Sequence, residues 1–97
     1  MIRSKKITQS AKDEDCTMGS PVCNGNPATV CWRHSNYGDD GKGWGIKAHD
    51  ILGFYGCQPC EYWFSHQASK EDKLFYFFRA WKRSIIRLFE KGVIVIK

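Results

Sequence analysis

The clearest hydrophobic pattern lies in the C-terminal third of the chain. Leu74, Phe78, Trp81, Ile85 and Leu88 recur at alternating steps of four and three, which places them on one face of a helix. Ser69, with Asp72 three residues on, fits a capping box at its start. Lys91 and then Gly92 fit its end. Val93-Ile94-Val95-Ile96 predicts a short terminal strand. Upstream the pattern is that of extended chain. Thr29, Val30, Cys31 and Trp32 predict a strand within residues 28–36, and apolar residues resume as a second strand near Ile51 to Tyr55. Tyr37 to Gly45 holds four glycines in nine residues, which makes it the loop at the tip of a hairpin. Glu61-Tyr62-Trp63-Phe64 reads as a short helix.

The ends and the turn-rich segments lack this order. Residues 1–15 are polar and charged without periodicity, and are expected to form a flexible basic arm, so that residues 16–97 make a single domain. Gly19, Pro21, Asn24, Gly25 and Pro27 crowd residues 16–27, a stretch with little to pack and a need for something to hold it. A chain of 97 residues buries a limited core, and domains of this size often need a staple.

Five cysteines suggest what the staple is. The odd count argues against a fully paired disulfide framework. Cys57-Gln58-Pro59-Cys60 lets two sulfurs grip one ion across a tight turn, and Cys16 and Cys23 can supply the other two ligands of a tetrahedral zinc. The six residues between Cys16 and Cys23 are more than common zinc knuckles use. Cys31, between Val30 and Trp32, reads as a core residue, although it could replace Cys16 or Cys23 as a ligand. Without the alternating strands and helices of a redox fold around it, the Cys-x-x-Cys element reads as metal-binding.

Charge adds a partner. The net charge of +5 suits an anionic one. Arg79, Arg83 and Arg87 fall four residues apart on the long helix with no carboxylate in the stripe. They form either a solvated face or a contact for a phosphate backbone. The high aromatic content either thickens a thin core or meets bases and sugars. Phe75 and Phe77 could present a homodimer surface. No apolar run is long enough to span a bilayer, the N-terminus lacks the apolar core of a signal peptide, and the expected setting is a reducing bacterial cytoplasm.

His34 follows the first strand, Asp50 starts the second, and Glu61 leaves the Cys-x-x-Cys turn. A strand pair and a helix clamped by zinc knuckles resemble the ββα-metal nucleases of the HNH, treble-clef type. A closer resemblance rests on Cys23-Asn24-Gly25-Asn26-Pro27-Ala28-Thr29, His34, Asp50-Ile51-Leu52, Cys57-x-x-Cys60 and the ending Glu90-Lys91-Gly92-Val93-Ile94. These resemble the phage and prophage family of small proteins, described as nucleases, that YbcO typifies.

The resemblance covers residues 15–96. It implies a zinc-stabilised α+β fold of the HNH-like kind, with a long C-terminal helix and a short terminal strand. It implies a metal-dependent DNA endonuclease acting in phage DNA metabolism or recombination, with phage or host recombination proteins as further partners. His34 would be the general base, Asp50 its brace, and Glu61 a ligand for catalytic Mg²⁺ or Mn²⁺. Arg33, Lys42 and the Arg79, Arg83 and Arg87 stripe would hold DNA. Two positions depart from the pattern. Glu61 stands where the family has His, and Arg33 stands where HNH enzymes often carry a metal ligand. His49 or His66 could complete the metal site. Both departures favour a second reading, a non-catalytic zinc-stapled module that binds DNA or a protein.

Overall fold

The expected hairpin frames the molecule. β1 (Cys31–His34) and β2 (Gly53–Gly56) pair antiparallel, with Trp32 opposite Tyr55 and His34 opposite Gly53. The computed structural model describes residues 2–37 and 47–96. Most of the glycine loop, with Lys42, lies outside the described residues. Three further helices complete the order: α1 (Lys5–Gln9) before the hairpin, then α2 (Gln58–His66) and α3 (Lys70–Glu90) after it. The chain is thus a small α+β domain with a two-stranded sheet and a long C-terminal helix. No helix among the described residues is long and apolar enough to cross a membrane.

β1 is shorter than its propensities suggest, because Pro27–Thr29 coil into a 3₁₀ turn. Asn26 starts that turn, its side chain accepting from the Ala28 N–H. β2 is buried along its whole length. Gly53 is required there: a Cβ would lie 2.6 Å from both the Arg33 carbonyl oxygen and Trp32 Nε1. The core gathers around β2. Phe54 meets the rings of Phe64 and Phe77 edge-on at 5.6 and 5.9 Å, and Tyr55 meets Trp32 edge-on at 5.3 Å.

The caps read from the sequence hold. Ser69 accepts from the Asp72 N–H at the start of α3. At its end Gly92 takes φ +74, its N–H bonds Phe89, and the Val93 N–H reaches back to Leu88. This is a Schellman close, which only a residue at ease with positive φ makes cheaply. It also overturns the expected terminal strand. Val93 and Ile94 both donate to the Leu88 carbonyl, so their backbone groups serve the helix end rather than a sheet.

The buried face of α3 is turned from the one the hydrophobic pattern selects: Leu88 is buried and Trp81 and Ile85 pack on the core as expected, but the N-terminal half differs. Phe77, Ala80, Ser84 and Leu88 are buried, whereas Leu74 and Phe78 lie half in solvent. The cause is close approach of α3 to β2. Small Ala80 and Ser84 admit the strand, and Ser84 Oγ accepts from the Tyr55 N–H at 3.0 Å while donating to the Ala80 carbonyl at 2.8 Å. A pattern that scores apolar residues passes over both positions.

The N-terminal segment departs from the expected flexible arm. Ser4 caps α1, and Ile7 and Ala11, one turn apart, are buried. Ser10 Oγ lies 2.8 Å from the Tyr55 hydroxyl, and Lys91 Nζ donates to the Ser10 carbonyl at 2.6 Å. Further on, the helix arginines grip this part of the chain. Arg87 pairs with Glu14 at 3.1 Å, Arg83 donates to Thr17 O at 3.3 Å, and Arg79 donates to Met18 O at 2.7 Å. Apart from Glu90, 3.8 Å from Arg87, these partners are distant in sequence, which is why the stripe reads as uncompensated. Glu14 also accepts from Lys91 at 2.9 Å.

Candidate metal centre and cleft

The four cysteines expected as ligands come together. The Sγ atoms of Cys16, Cys23, Cys57 and Cys60 all lie within 4.8 Å of one another, and Cys23 and Cys57 are 3.8 Å apart. A tetrahedral metal with bonds of about 2.3 Å to sulfur sets its ligands roughly 3.8 Å apart, so the donor set fits a structural metal such as zinc. The site has a local logic. Cys57 is the N-cap of α2 and Cys60 sits in its first turn, with Pro59 between them, where unpaired N–H groups favour thiolate. Gly19, at φ +60, turns the upstream segment so that Cys16 and Cys23 both reach the helix start.

The hydrogen bond from Cys60 holds the Cys16 thiol down to about 4, against burial and with help from the Gly19 N–H. The same bond, together with burial, pushes Cys60 up. Burial pushes Cys23 up as well. Four thiols this close, two of them buried, are a donor set that a bound cation would hold together as thiolates. Cys31 stands apart. It is exposed on β1, neither a core residue nor a member of the cluster. The outward side of a strand against α1 leaves it at the surface, where it lines a shallow pocket with Thr8 and Lys12.

The second site is a cleft of about 540 Å³ between β1 and α2. His34 and Arg33 line one wall, and Glu61, Ser65 and His66 line the other. The hairpin register and the start of α2 thus bring the sequence-selected His34, Arg33 and Glu61 to one opening. His34 Nε2 lies 2.6 Å from Asp50 Oδ1. Asp50 is buried and held from several sides. The Ser4 N–H donates to Oδ2 at 2.5 Å and Arg3 donates to Oδ1 at 3.1 Å. Its own carbonyl accepts from Trp32 Nε1 at 2.7 Å. Burial raises the Asp50 carboxyl, but the bonds from His34, Ser4 and Arg3 outweigh it and leave the group lowered. Asp50 is therefore a carboxylate at neutral pH and can only accept, so His34 Nε2 donates to it, and in the neutral imidazole Nδ1 is then the nitrogen with the lone pair.

The remaining expected residues have defined places. Glu61 Oε1 accepts from Ser65 Oγ at 2.9 Å. Arg33 spends Nε on the Gly56 carbonyl and Nη2 on that of Thr29, at 3.0 and 3.1 Å. His49 Nδ1 accepts from the Ile2 N–H at 2.9 Å. The His66 ring lies tilted against that of Tyr62, with centroids 4.7 Å apart. Among the described residues the cysteines are the group of three or more His, Cys, Asp and Glu side chains gathered tightly enough to hold a metal. The cleft is not such a group.

Sequence reasoning missed Arg3 and Ser4. Arg3 donates to the carbonyls of Lys47 and Ala48 as well as to Asp50, and the Asp50 N–H donates to the Ile2 carbonyl at 2.9 Å. No local signal marks these contacts, which join positions more than forty residues apart.

The fold has a known counterpart. A bacteriophage protein from Escherichia coli K-12 MG1655, titled "Structure of a putative bacteriophage protein", superposes with a TM-score of 0.69 at 21% identity. The match covers 88% of this chain and 98% of that one. No curated protein matches the chain. One family model, described as "Putative nuclease YbcO", matches residues 5–93. That span takes in the four cysteines, the His34 cleft and nearly all of α3, and the chain belongs to this family.

Proposed function

We propose that this chain hydrolyses phosphodiester bonds of DNA in the His34 cleft, as an HNH-like endonuclease whose treble-clef fold is stapled by zinc on Cys16, Cys23, Cys57 and Cys60. The observation that carries the reading is the 2.6 Å bond from His34 Nε2 to the buried Asp50 carboxylate at the edge of an open cleft. Hydrolysis needs an activated water and neutral surroundings for the charge that builds on the phosphate. With Nε2–H fixed on Asp50, His34 Nδ1 takes the proton from water, and the carboxylate steadies the imidazolium that forms. Asp50 is the positioning residue, and Arg3 and Ser4 hold it.

A divalent ion, when bound, would supply charge stabilisation at the phosphate. Glu61 is the carboxylate placed to receive it. With no three-ligand set at the cleft among the described residues, such an ion would lean on substrate oxygens, as Mg²⁺ and Mn²⁺ commonly do. Arg33 supplies positive charge at the cleft, Lys42 is a further DNA contact in this reading, and Arg79, Arg83 and Arg87 add to the field that draws the phosphate backbone without reading sequence. Membership of a family described as nucleases and a fold shared with a bacteriophage protein support a role in phage DNA metabolism or recombination.

One observation favours a second reading, a non-catalytic zinc-stapled module that binds DNA or a protein. The Arg33 guanidinium already holds two backbone carbonyls, and Glu61 lacks fellow ligands. Incubation of the zinc-loaded protein with supercoiled plasmid in Mg²⁺, Mn²⁺ or chelator separates the two. The nuclease converts plasmid to the nicked form in at least one divalent ion. A protein that shifts plasmid on a gel yet never nicks it is a binding module.

A further inference from the structure

Hydrolysis with His34 as base leaves one requirement without a residue. The oxygen that departs from phosphorus is an alkoxide, a poor leaving group unless a proton meets it as the bond breaks. Nucleophile and leaving oxygen stand roughly in line on opposite sides of the phosphorus, so base and acid belong on opposite walls of a cleft. His34 stands on the β1 wall. The proton donor is therefore to be sought on α2.

α2 brings Glu61, Ser65 and His66 to the opening. Glu61 Oε1 is an acceptor, and Ser65 Oγ spends its proton on it at 2.9 Å. His66 is left. Imidazole is the side chain that ordinarily exchanges a proton near neutral pH, as an acid in this place must. Its nitrogens are also uncommitted. His34 is bonded to Asp50 and His49 to the Ile2 N–H, whereas no hydrogen bond among the described residues uses a ring nitrogen of His66. The ring nevertheless has a seat. It sits in the last turn of α2, with the Tyr62 ring one turn back against it at 4.7 Å. Arg33 and Lys47 also line the cleft, and such cations suit a phosphate between the two walls.

We propose that His66 is the general acid of the cleft and protonates the leaving oxygen. The inference rests on the nuclease reading of the same cleft. The bond from the water oxygen to phosphorus forms as the bond from phosphorus to the leaving oxygen breaks. The proton of water goes to His34 Nδ1, and the proton of His66 goes to the leaving oxygen. His34 ends protonated and His66 neutral, and exchange with solvent resets both.

Single-turnover cleavage of two matched DNA duplexes tests the assignment, one all-oxygen and one with sulfur replacing a bridging oxygen. A thiolate leaves without a proton, since thiols ionise near ~8.5, far below alcohols. Sulfur at the 3′ or at the 5′ bridging position covers both directions of cleavage. At wild-type zinc content and duplex affinity, His66→Ala and His66→Gln cut the all-oxygen duplex about 10²–10⁴-fold more slowly. On the sulfur-bridged duplex that wild type cleaves, both variants match wild type. A His66→Ala protein that cuts the all-oxygen duplex at the wild-type rate overturns the assignment and leaves the nuclease reading standing. Equal slowing on both duplexes overturns it too, because His66 then acts on binding or geometry rather than on the proton. A wild type that cuts neither duplex in any divalent ion fails the nuclease reading itself, and this assignment with it.

Discussion

His34 Nε2 and Asp50 Oδ1 lie 2.6 Å apart, yet the residues that fix this pair come from the far end of the chain. Arg3 and the Ser4 N–H hold the carboxylate. The N-terminal segment is thus part of the site's construction, and α1 anchors it through buried Ile7.

Asp50 links the site to acid stability. Its folded-state pKa is lowered, so its stabilisation is complete above the unfolded carboxylate value near ~4 and is lost as pH falls through the lower folded value. Glu14, where bonds from Arg87 and Lys91 outweigh burial, is lowered too and acts in the same direction. Urea midpoints at pH 7, 5 and 3 should fall steeply toward the lowest pH in wild type. Asp50→Asn should start lower at pH 7 and fall less. Equal slopes would show that Asp50 is not a native-state carboxylate.

Removing Arg3 should separate positioning from chemistry. Arg3→Ala leaves His34 and Asp50 in place but frees the carboxylate on one side. The expected result is a lower kcat with KM little changed and a shifted acidic limb of the pH profile. An Arg3→Ala enzyme with wild-type kcat and pH profile would confine Arg3 to holding the Lys47 and Ala48 carbonyls.

The thiol cluster should decide whether the chain folds. Metal analysis is expected to find one tightly held zinc per chain. Metal binding at such sites carries folding free energy on the order of 10 kcal/mol, so Cys57→Ser or strong chelation should unfold the protein. Cys31→Ser should leave zinc content and folding untouched, because Cys31 lies outside the cluster. Folded protein free of metal would refute the staple.

Ser84 is a packing residue with a polar duty. Ser84→Ala fits the space that admits β2 but leaves the Tyr55 N–H without an acceptor in the core. The cost is about 2 kcal/mol, a fall of roughly 10 °C in melting temperature. A smaller loss in Ser84→Ala than in Leu88→Ala is expected, since large-to-small core changes cost about 2–5 kcal/mol.

The legible parts of this protein are those coded locally. Cys57 and Cys60 announce a two-sulfur grip by spacing alone, and Ser69 and Gly92 mark the helix ends through caps that act within one turn. His34 and Asp50 sit at the strand ends that the hairpin brings together. The less legible parts depend on what meets them. α3 is apolar on two faces, so periodicity alone placed Leu88 correctly but could not choose between Leu74 with Phe78 and Phe77, and the small Ala80 and Ser84 decided the matter by admitting β2. The arginine stripe reads as free because its acceptors are backbone carbonyls and Glu14, far off in sequence. Val93 to Ile96 has strand propensity but no strand to join among the described residues.

The central claim is that His34 abstracts the proton from water in the cleft. Its most direct measurement is the single-turnover nicking rate of His34→Ala against wild type, at matched zinc content and matched plasmid affinity. The account predicts a fall of about 10²–10⁴-fold, the usual worth of a general base. A His34→Ala protein that nicks at the wild-type rate would contradict it.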